Sequence, residues 1–185
     1  MDPLAPIAPH HKATGPTELH LKEKMMSLSG DSASVKDASG NTVFKINAHM
    51  MTMSQRRTIT DSSGKEVGQM RKKKTPGLHP ACYVGTMDDE KRVMIKLKGL
   101  LNPLKCDADL LLQDKSIGEI SGNWRAKSIS IRIAGQEVAA VRRQTTATSL
   151  FTGADSYSIK VMPGVDTAFI VLVVLAFDEL YHDKD

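Results

Sequence analysis

The densest charge in the sequence is Arg71-Lys72-Lys73-Lys74, followed at once by Thr75, Pro76 and Gly77. A run of cations at a strand end can hold an anionic headgroup or phosphate, and each Lys or Arg near an anionic membrane contributes about 1 kcal/mol, so about 4 kcal/mol together. Arg56 and Arg57 lie where a partner strand would run. In the register set out below, Arg57 faces Gln69 and shares a face with Arg71. The competing reading is a solvated strand end whose charges guard an edge. Smaller groups, Arg142 with Arg143, Arg125 with Lys127 and Lys96 with Lys98, suit an ordinary barrel exterior. Strand alternation puts Lys96 and Lys98 on the face opposite Leu97. There is no recognition helix, zinc finger or RNA-binding aromatic motif, so nucleic acid is not an expected partner.

Catalytic chemistry has less to stand on. No Gly-x-Ser-x-Gly elbow, phosphate loop or dinucleotide pattern occurs. Asp88-Asp89-Glu90 groups three carboxylates but falls between two strand segments, as an exposed turn would. His79 and Cys82 have metal-ligand types, yet one pair cannot complete a zinc site, and His49 and Cys106 stand apart from it in sequence. Trp124 reads as a packing anchor. The expectation is no catalytic residue, no metal and no cofactor.

These side chains sit in a chain of 185 residues, enough for one domain with its own core. Aromatics make up only 4%, and ten Met residues replace part of them as core fillers. A net charge of +4 permits an anionic partner without demanding one. Met1, Asp2 and Pro3 lack the basic and apolar start of a secretory leader. The expected compartment is therefore cytoplasmic, with Cys82 and Cys106 as free thiols. Residues 1–16 carry Pro3, Pro6, Pro9, Gly15 and Pro16 and read as a flexible tail.

From Thr17 to Val161 short strands follow one another. Ser34 to Phe44 carries Asp37 and Gly40, and Thr58 to Val67 carries Asp61 and Gly64. Asp opening a type I turn, with Gly three residues later in the left-handed conformation, is a hairpin signal. A three-residue loop puts Asp37 opposite Asn41 and Asp61 opposite Lys65. Val35 then faces Val43, and Ile59 faces Val67, a β-branched pair in each hairpin. Arg92–Leu97, Leu110–Leu112, Ile117–Ile120, Glu137–Val141 and Ser156–Val161 add strands. Ser128–Ile133 alternates with Ile129, Ile131 and Ile133 on one face. About a dozen short strands suggest a barrel or sandwich.

After Pro163-Gly164 the pattern changes. Ala168–Phe177 is apolar on every side, between Asp166 and Asp178-Glu179. A spanning helix needs about twenty such residues, so no transmembrane span is expected. As a strand the run would measure about 33 Å, longer than usual. As a helix it measures about 15 Å, with Asp166 as N-cap. Its β-branched residues favour a strand and its length favours a helix, which would have to be buried all round. Phe169, Ile170, Leu172, Val173 and Phe177 are then core.

Asp155-Ser-Tyr157-Ser-Ile-Lys-Val-Met-Pro163-Gly164-Val-Asp166-Thr-Ala168-Phe169-Ile170, running into the apolar segment and Asp178, resembles the C-terminal signature of the LURP-one-related family. The Asp-x-x-Gly hairpins, Leu110–Asp114 and Gly118-Glu-Ile120 are similar to its pattern too. That family lies in the tubby C-terminal-like superfamily, beside the phospholipid scramblases. The resemblance implies a mainly β fold, a twelve-stranded closed antiparallel β-barrel around a central hydrophobic C-terminal α-helix. It implies one domain over 17–181, with 182–185 as a tail. Tubby proteins bind phosphoinositides, so the function it implies is a non-enzymatic binding module, a monomer, engaging anionic phospholipid at a membrane surface. The alternative is a protein-protein interaction scaffold, and an enzyme or a scramblase comes third. The candidate lipid-binding residues are Arg56, Arg57, Arg71, Lys72, Lys73 and Lys74.

Overall fold

The two Asp-x-x-Gly segments fold into the same turn. In the first, Asp37 N–H donates to Asn41 O (2.9 Å), Gly40 N–H donates to Asp37 O (3.0 Å) and Gly40 has φ 86°. In the second, Asp61 N–H donates to Lys65 O (2.9 Å), Gly64 N–H to Asp61 O (3.0 Å), and Gly64 also has φ 86°. The left-handed glycine closes each loop without a Cβ clash. Each Asp carboxylate accepts the N–H that ends its loop, from Asn41 at 2.9 Å and Lys65 at 3.1 Å.

These hairpins begin a barrel. The computed structural model describes residues 2, 4, 6–22, 33–49, 56–73, 80–88, 90, 92–98, 107–123, 126, 128–144 and 156–182. The strands are β1 Thr17–Lys22, β2 Ala33–Asp37, β3 Thr42–His49, β4 Arg56–Asp61, β5 Glu66–Lys72 and β6 Ala81–Gly85. They continue as β7 Arg92–Leu97, β8 Ala108–Leu112, β9 Lys115–Asn123, β10 Ser128–Ile133, β11 Gln136–Gln144 and β12 Ser156–Val161. One helix, α1, follows at Thr167–His182. Every strand pairs antiparallel with its sequence neighbours, and β1 pairs with β12 from Thr17↔Val161 to Lys22↔Ser156, so the sheet closes on itself. Closure leaves no sheet edge to guard.

The hairpin registers differ from expectation by one residue. Val35 pairs with Phe44 rather than Val43, and Ile59 pairs with Gly68 rather than Val67, because each hairpin carries a bulge just past its loop. A β-bulge adds one residue to one strand, and a one-residue slip turns every later side chain to the other face. Arg57 accordingly faces Met70, not Gln69.

The barrel interior is filled by α1. Ala168 to Phe177 are fully buried, Phe169, Ile170, Leu172, Val173 and Phe177 among them. The helix leans on β5 and β6, and Gly68 makes that approach possible. A Cβ there would lie 2.7 Å from Leu172 Cδ1 and 3.1 Å from Ile7 Cγ2. Asp166 caps the helix: its Oδ1 accepts Phe169 N–H at 3.0 Å, and its carbonyl accepts Ile170 N–H at 3.1 Å. Among the described residues no helix is long and apolar enough to cross a membrane.

The segment before β1, expected as a flexible tail, is instead seated on the barrel. Ile7, Ala8 and Ala13 are buried, and a short 3-10 turn runs over Pro9–His11. It lies across the barrel end where α1 begins, with Ile7 against Gly68 and His11 edge-on to Phe44 at 5.3 Å between ring centroids.

Candidate functional site

The bulge after Gly64 decides how the basic run is divided. On β5, Gly68 and Met70 face the core, so Gln69 and Arg71 face out. Arg71 pairs with Tyr83 of β6, and Tyr83 pairs with Met94 of β7. Around the Tyr83 ring stand two guanidinium groups. Arg92 Cζ lies 5.0 Å from the ring centroid and Arg71 Cζ lies 5.9 Å from it. Both are within cation–π range of the one ring.

Three more cations share this outer surface. Arg56, opposite His49 on β3, is on the outward face of β4, since its neighbour Arg57 points in. Lys73, exposed, follows β5 and donates its N–H to Ala81 O at 2.9 Å. Lys96, exposed on β7, pairs with Ala81. Neighbouring strands are about 4.8 Å apart, so Arg56, Arg71, Lys73, Arg92 and Lys96 fall within a face about 15 Å across. Lys98, expected beside Lys96, is neutralised instead: its Nζ lies 2.9 Å from Asp109 Oδ1 and 3.1 Å from Glu119 Oε2. The β6–β7 turn carries Asp88 and Glu90. Asp88 Oδ1 accepts Thr86 Oγ1–H and Glu90 N–H within that turn.

Arg57 is buried, and Lys72, half-buried, lies on the same inward face. Arg57 Nη2 lies 2.8 Å from Glu179 Oε2, and the two side chains are only 10% and 8% exposed. Lys72 pairs with Cys82, a fully buried residue, and so takes the inward face of β5. Asp178 and Glu179 lie near the C-terminal end of α1, where the helix dipole disfavours negative charge, and Arg57 offsets it. Both Arg57 and Lys72 were expected in the anion patch; the register puts them on the inward face of β4 and β5, opposite to Arg56 and Arg71. Lys74 lies outside the described residues, as do His79, Asp89, Cys106, Trp124, Arg125 and Lys127.

Cys82 is the free thiol of this region. Burial pushes its pKa up to about 12, helped by the negative Glu179 and opposed by Lys72 and Arg57. A thiol so placed stays protonated at neutral pH and is not a nucleophile. Among the described residues no group of His, Cys, Asp and Glu is arranged to hold a metal ion.

The sequence reading missed Arg92 as a site residue. Its signal was the alternation Arg92, Met94, Lys96 on one face of β7 with Val93, Ile95 and Leu97 on the other. Only the pairing of Tyr83 with Met94 links that face to the Arg71 strand.

Comparison with known proteins agrees with this architecture. The family model described as LURP-one-related matches residues 17–178. Protein LURP-one-related 15 of Arabidopsis thaliana is 28% identical over 188 residues, covering 96% of this chain and 86% of that protein. Protein LURP-one-related 10 of the same plant is 27% identical, covering 97% of this chain and 98% of that protein. An X-ray structure of an Arabidopsis thaliana protein superposes with a TM-score of 0.68 at 22% identity, covering 96% of this chain and 98% of the other, which shows the shared fold. With a closed twelve-stranded antiparallel barrel around one C-terminal helix and a family match over nearly the whole barrel, the chain belongs to the LURP-one-related family.

Proposed function

We propose that the chain is a non-enzymatic binding module that docks on anionic phospholipid, phosphoinositide headgroups in particular, as a monomer peripheral to the cytoplasmic side of a membrane. The observation that carries this reading is the outer face of β4 to β7, where Arg71 and Arg92 lie at the Tyr83 ring and Arg56, Lys73 and Lys96 share the outward face. At about 1 kcal/mol per cation the face contributes about 5 kcal/mol toward an anionic surface. That corresponds to sub-millimolar affinity, suited to reversible docking. Lys73, Arg92 and Lys96 are exposed, and exposed charges are screened over about 8 Å at physiological ionic strength, so binding should fall steeply with salt.

The test is co-sedimentation with vesicles of phosphatidylcholine alone, with added phosphatidylserine, and with added phosphoinositide, at low and physiological salt. Selective sedimentation with phosphoinositide vesicles, lost in the Arg71→Gln, Lys73→Gln, Arg92→Gln, Lys96→Gln variant, is the expected result. No sedimentation with any vesicle overturns it. A protein-interaction scaffold then takes precedence, and a different surface favours that reading. A groove of about 550 Å³ between β1, β11 and β12 is lined by Ala139, Ala140, Val161 and Met162, and Met162 is 45% exposed.

A further inference from the structure

The segment lying across the barrel end is held as a bound peptide is held. Asp166 is fully buried, and its carboxylate has two tasks. Oδ1 caps α1, while Oδ2 accepts Ala8 N–H at 2.6 Å and Ile7 N–H at 3.3 Å. A buried carboxylate that takes two successive backbone donors reads the main chain and not a particular side chain. Strand-like pairing continues the hold. Ala13 N–H donates to Val165 O at 2.9 Å, Gly164 N–H donates to Ala13 O at 2.7 Å, and Lys12 forms an antiparallel bridge with Asp166. Thr167 Oγ1–H adds a bond to His11 O at 2.8 Å. Main-chain bonds for affinity with sockets for single side chains is the logic of β-augmentation.

The sockets are as plain as the bonds. Ile7 occupies the notch that Gly68 leaves beside Leu172. His11 sits edge-on to Phe44, its Nε2 3.6 Å from Asp61 Oδ2. The segment itself has little structure to contribute. It holds one three-residue 3-10 turn without a side-chain cap, and Pro6, Pro9 and Pro16 favour extended backbone. Thr14, Gly15 and Pro16 join it to β1, and a side chain at Gly15 would meet nothing within 4 Å.

We propose that the barrel mouth above the start of α1 is a peptide-binding cleft, that residues 7–13 of the chain are its resident occupant, and that a partner's extended peptide of the same chemistry displaces them. The ligand class is an extended, proline-bounded segment that offers two successive free N–H groups to Asp166, an apolar side chain to the Gly68 notch and, four residues on, an imidazole or other ring to Phe44. Exchange, and not emptying, is the mode. A vacated cleft would leave the Asp166 carboxylate short of two donors and bare the Ile7 notch, and an unsatisfied buried polar group is costly. The site is independent of the outer basic face, so failure of either leaves the other standing.

The test uses the full chain with Ala8→Pro, which deletes the stronger donor to Oδ2. Proline also does not fit the φ of −127° found at Ala8. A fluorescent peptide of residues 2–14 is titrated against wild-type and variant proteins and followed by anisotropy. The tethered segment competes at an effective concentration of roughly millimolar. Binding to the variant should therefore be at least about tenfold tighter than to wild type. The peptide carrying the same Ala8→Pro change should bind neither. No binding to a folded variant, or equal binding of both peptides, overturns the proposal. Should the variant not fold, a protease site placed between Thr14 and Pro16 of the otherwise unaltered chain gives the second measurement. After cutting, exchange of the native occupant for labelled peptide supports the proposal. Loss of the fold on cutting would make the segment an integral part of the barrel, and overturn it.

Discussion

Arg57 shows how one side chain can look like surface in a sequence and be core in a structure. It sits next to Arg56 in a basic pair, yet it reaches Glu179 at 2.8 Å inside the barrel. Removing one partner from a buried ion pair leaves a charge in low dielectric, which costs about 3–5 kcal/mol, whereas replacing both with apolar groups is often neutral. Arg57→Met should therefore lower the urea midpoint sharply. Arg57→Met combined with Glu179→Leu should restore it to within about 1 kcal/mol of wild type. Equal loss in the single and double variants would mean that Arg57 acts by something other than its pairing with Glu179. The double variant should also keep vesicle binding, because the outer face retains Arg56, Arg71, Lys73, Arg92 and Lys96.

At the scale of elements, the hairpins carry the charge chemistry of folding as well as the register. Asp61 accepts Ser63 Oγ–H at 2.6 Å, Ser63 N–H at 2.9 Å and Lys65 N–H at 3.1 Å. Ser63's hydroxyl foremost, these bonds hold its pKa below 3.8 against desolvation, which is the second-largest influence and opposes them, with His11 adding in the lowering sense. A carboxylate depressed by folding stabilises the fold above its unfolded pKa, and that contribution is lost as pH falls through the lower, folded value. Asp61→Asn should thus lower Tm near neutral pH, and the gap from wild type should close as the pH falls below 3.8 and through the lower, folded value. A gap independent of pH would show that turn geometry, not the carboxylate, matters. The loops of these hairpins were legible in the sequence because Asp and Gly have a fixed mechanism there. Their bulges were not, because Val43 and Val67 suit a paired strand as well as a bulge, and only closure of the whole sheet decides between them. The same bulge moved Arg57 and Arg71 onto opposite faces, so the candidate patch was legible in its cations but not in its membership. The seat of residues 7–13 was hidden for a related reason. Proline-rich sequence without periodicity reads as a tail, and the donors that hold it belong to backbone, which composition does not reveal.

At the scale of the whole molecule, the first and last strands make the closure and the helix after them makes the centre. β1 zips to β12 along six residue pairs, and the helix that follows β12 then occupies the interior. No strand can bury its inner face until the helix is in place, and the helix, buried all round, has no stable exposed form. Melting followed by far-ultraviolet and by near-ultraviolet circular dichroism should therefore coincide in one transition. Val173 tests this coupling most directly. It is fully buried at mid-helix. Val173→Ala removes only methyl groups and should cost about 2–4 kcal/mol, leaving a soluble protein that melts in one step at lower temperature. Val173→Asp puts a carboxylate into the buried hydrophobic cluster, and burying an unpaired charge costs far more than a small domain's total stability allows. That variant should fail to fold and be recovered in the insoluble fraction. A soluble, monomeric Val173→Asp protein melting cooperatively near the wild-type temperature would mean that the helix can leave the barrel without unfolding it, and the central-helix account of stability would have to be abandoned.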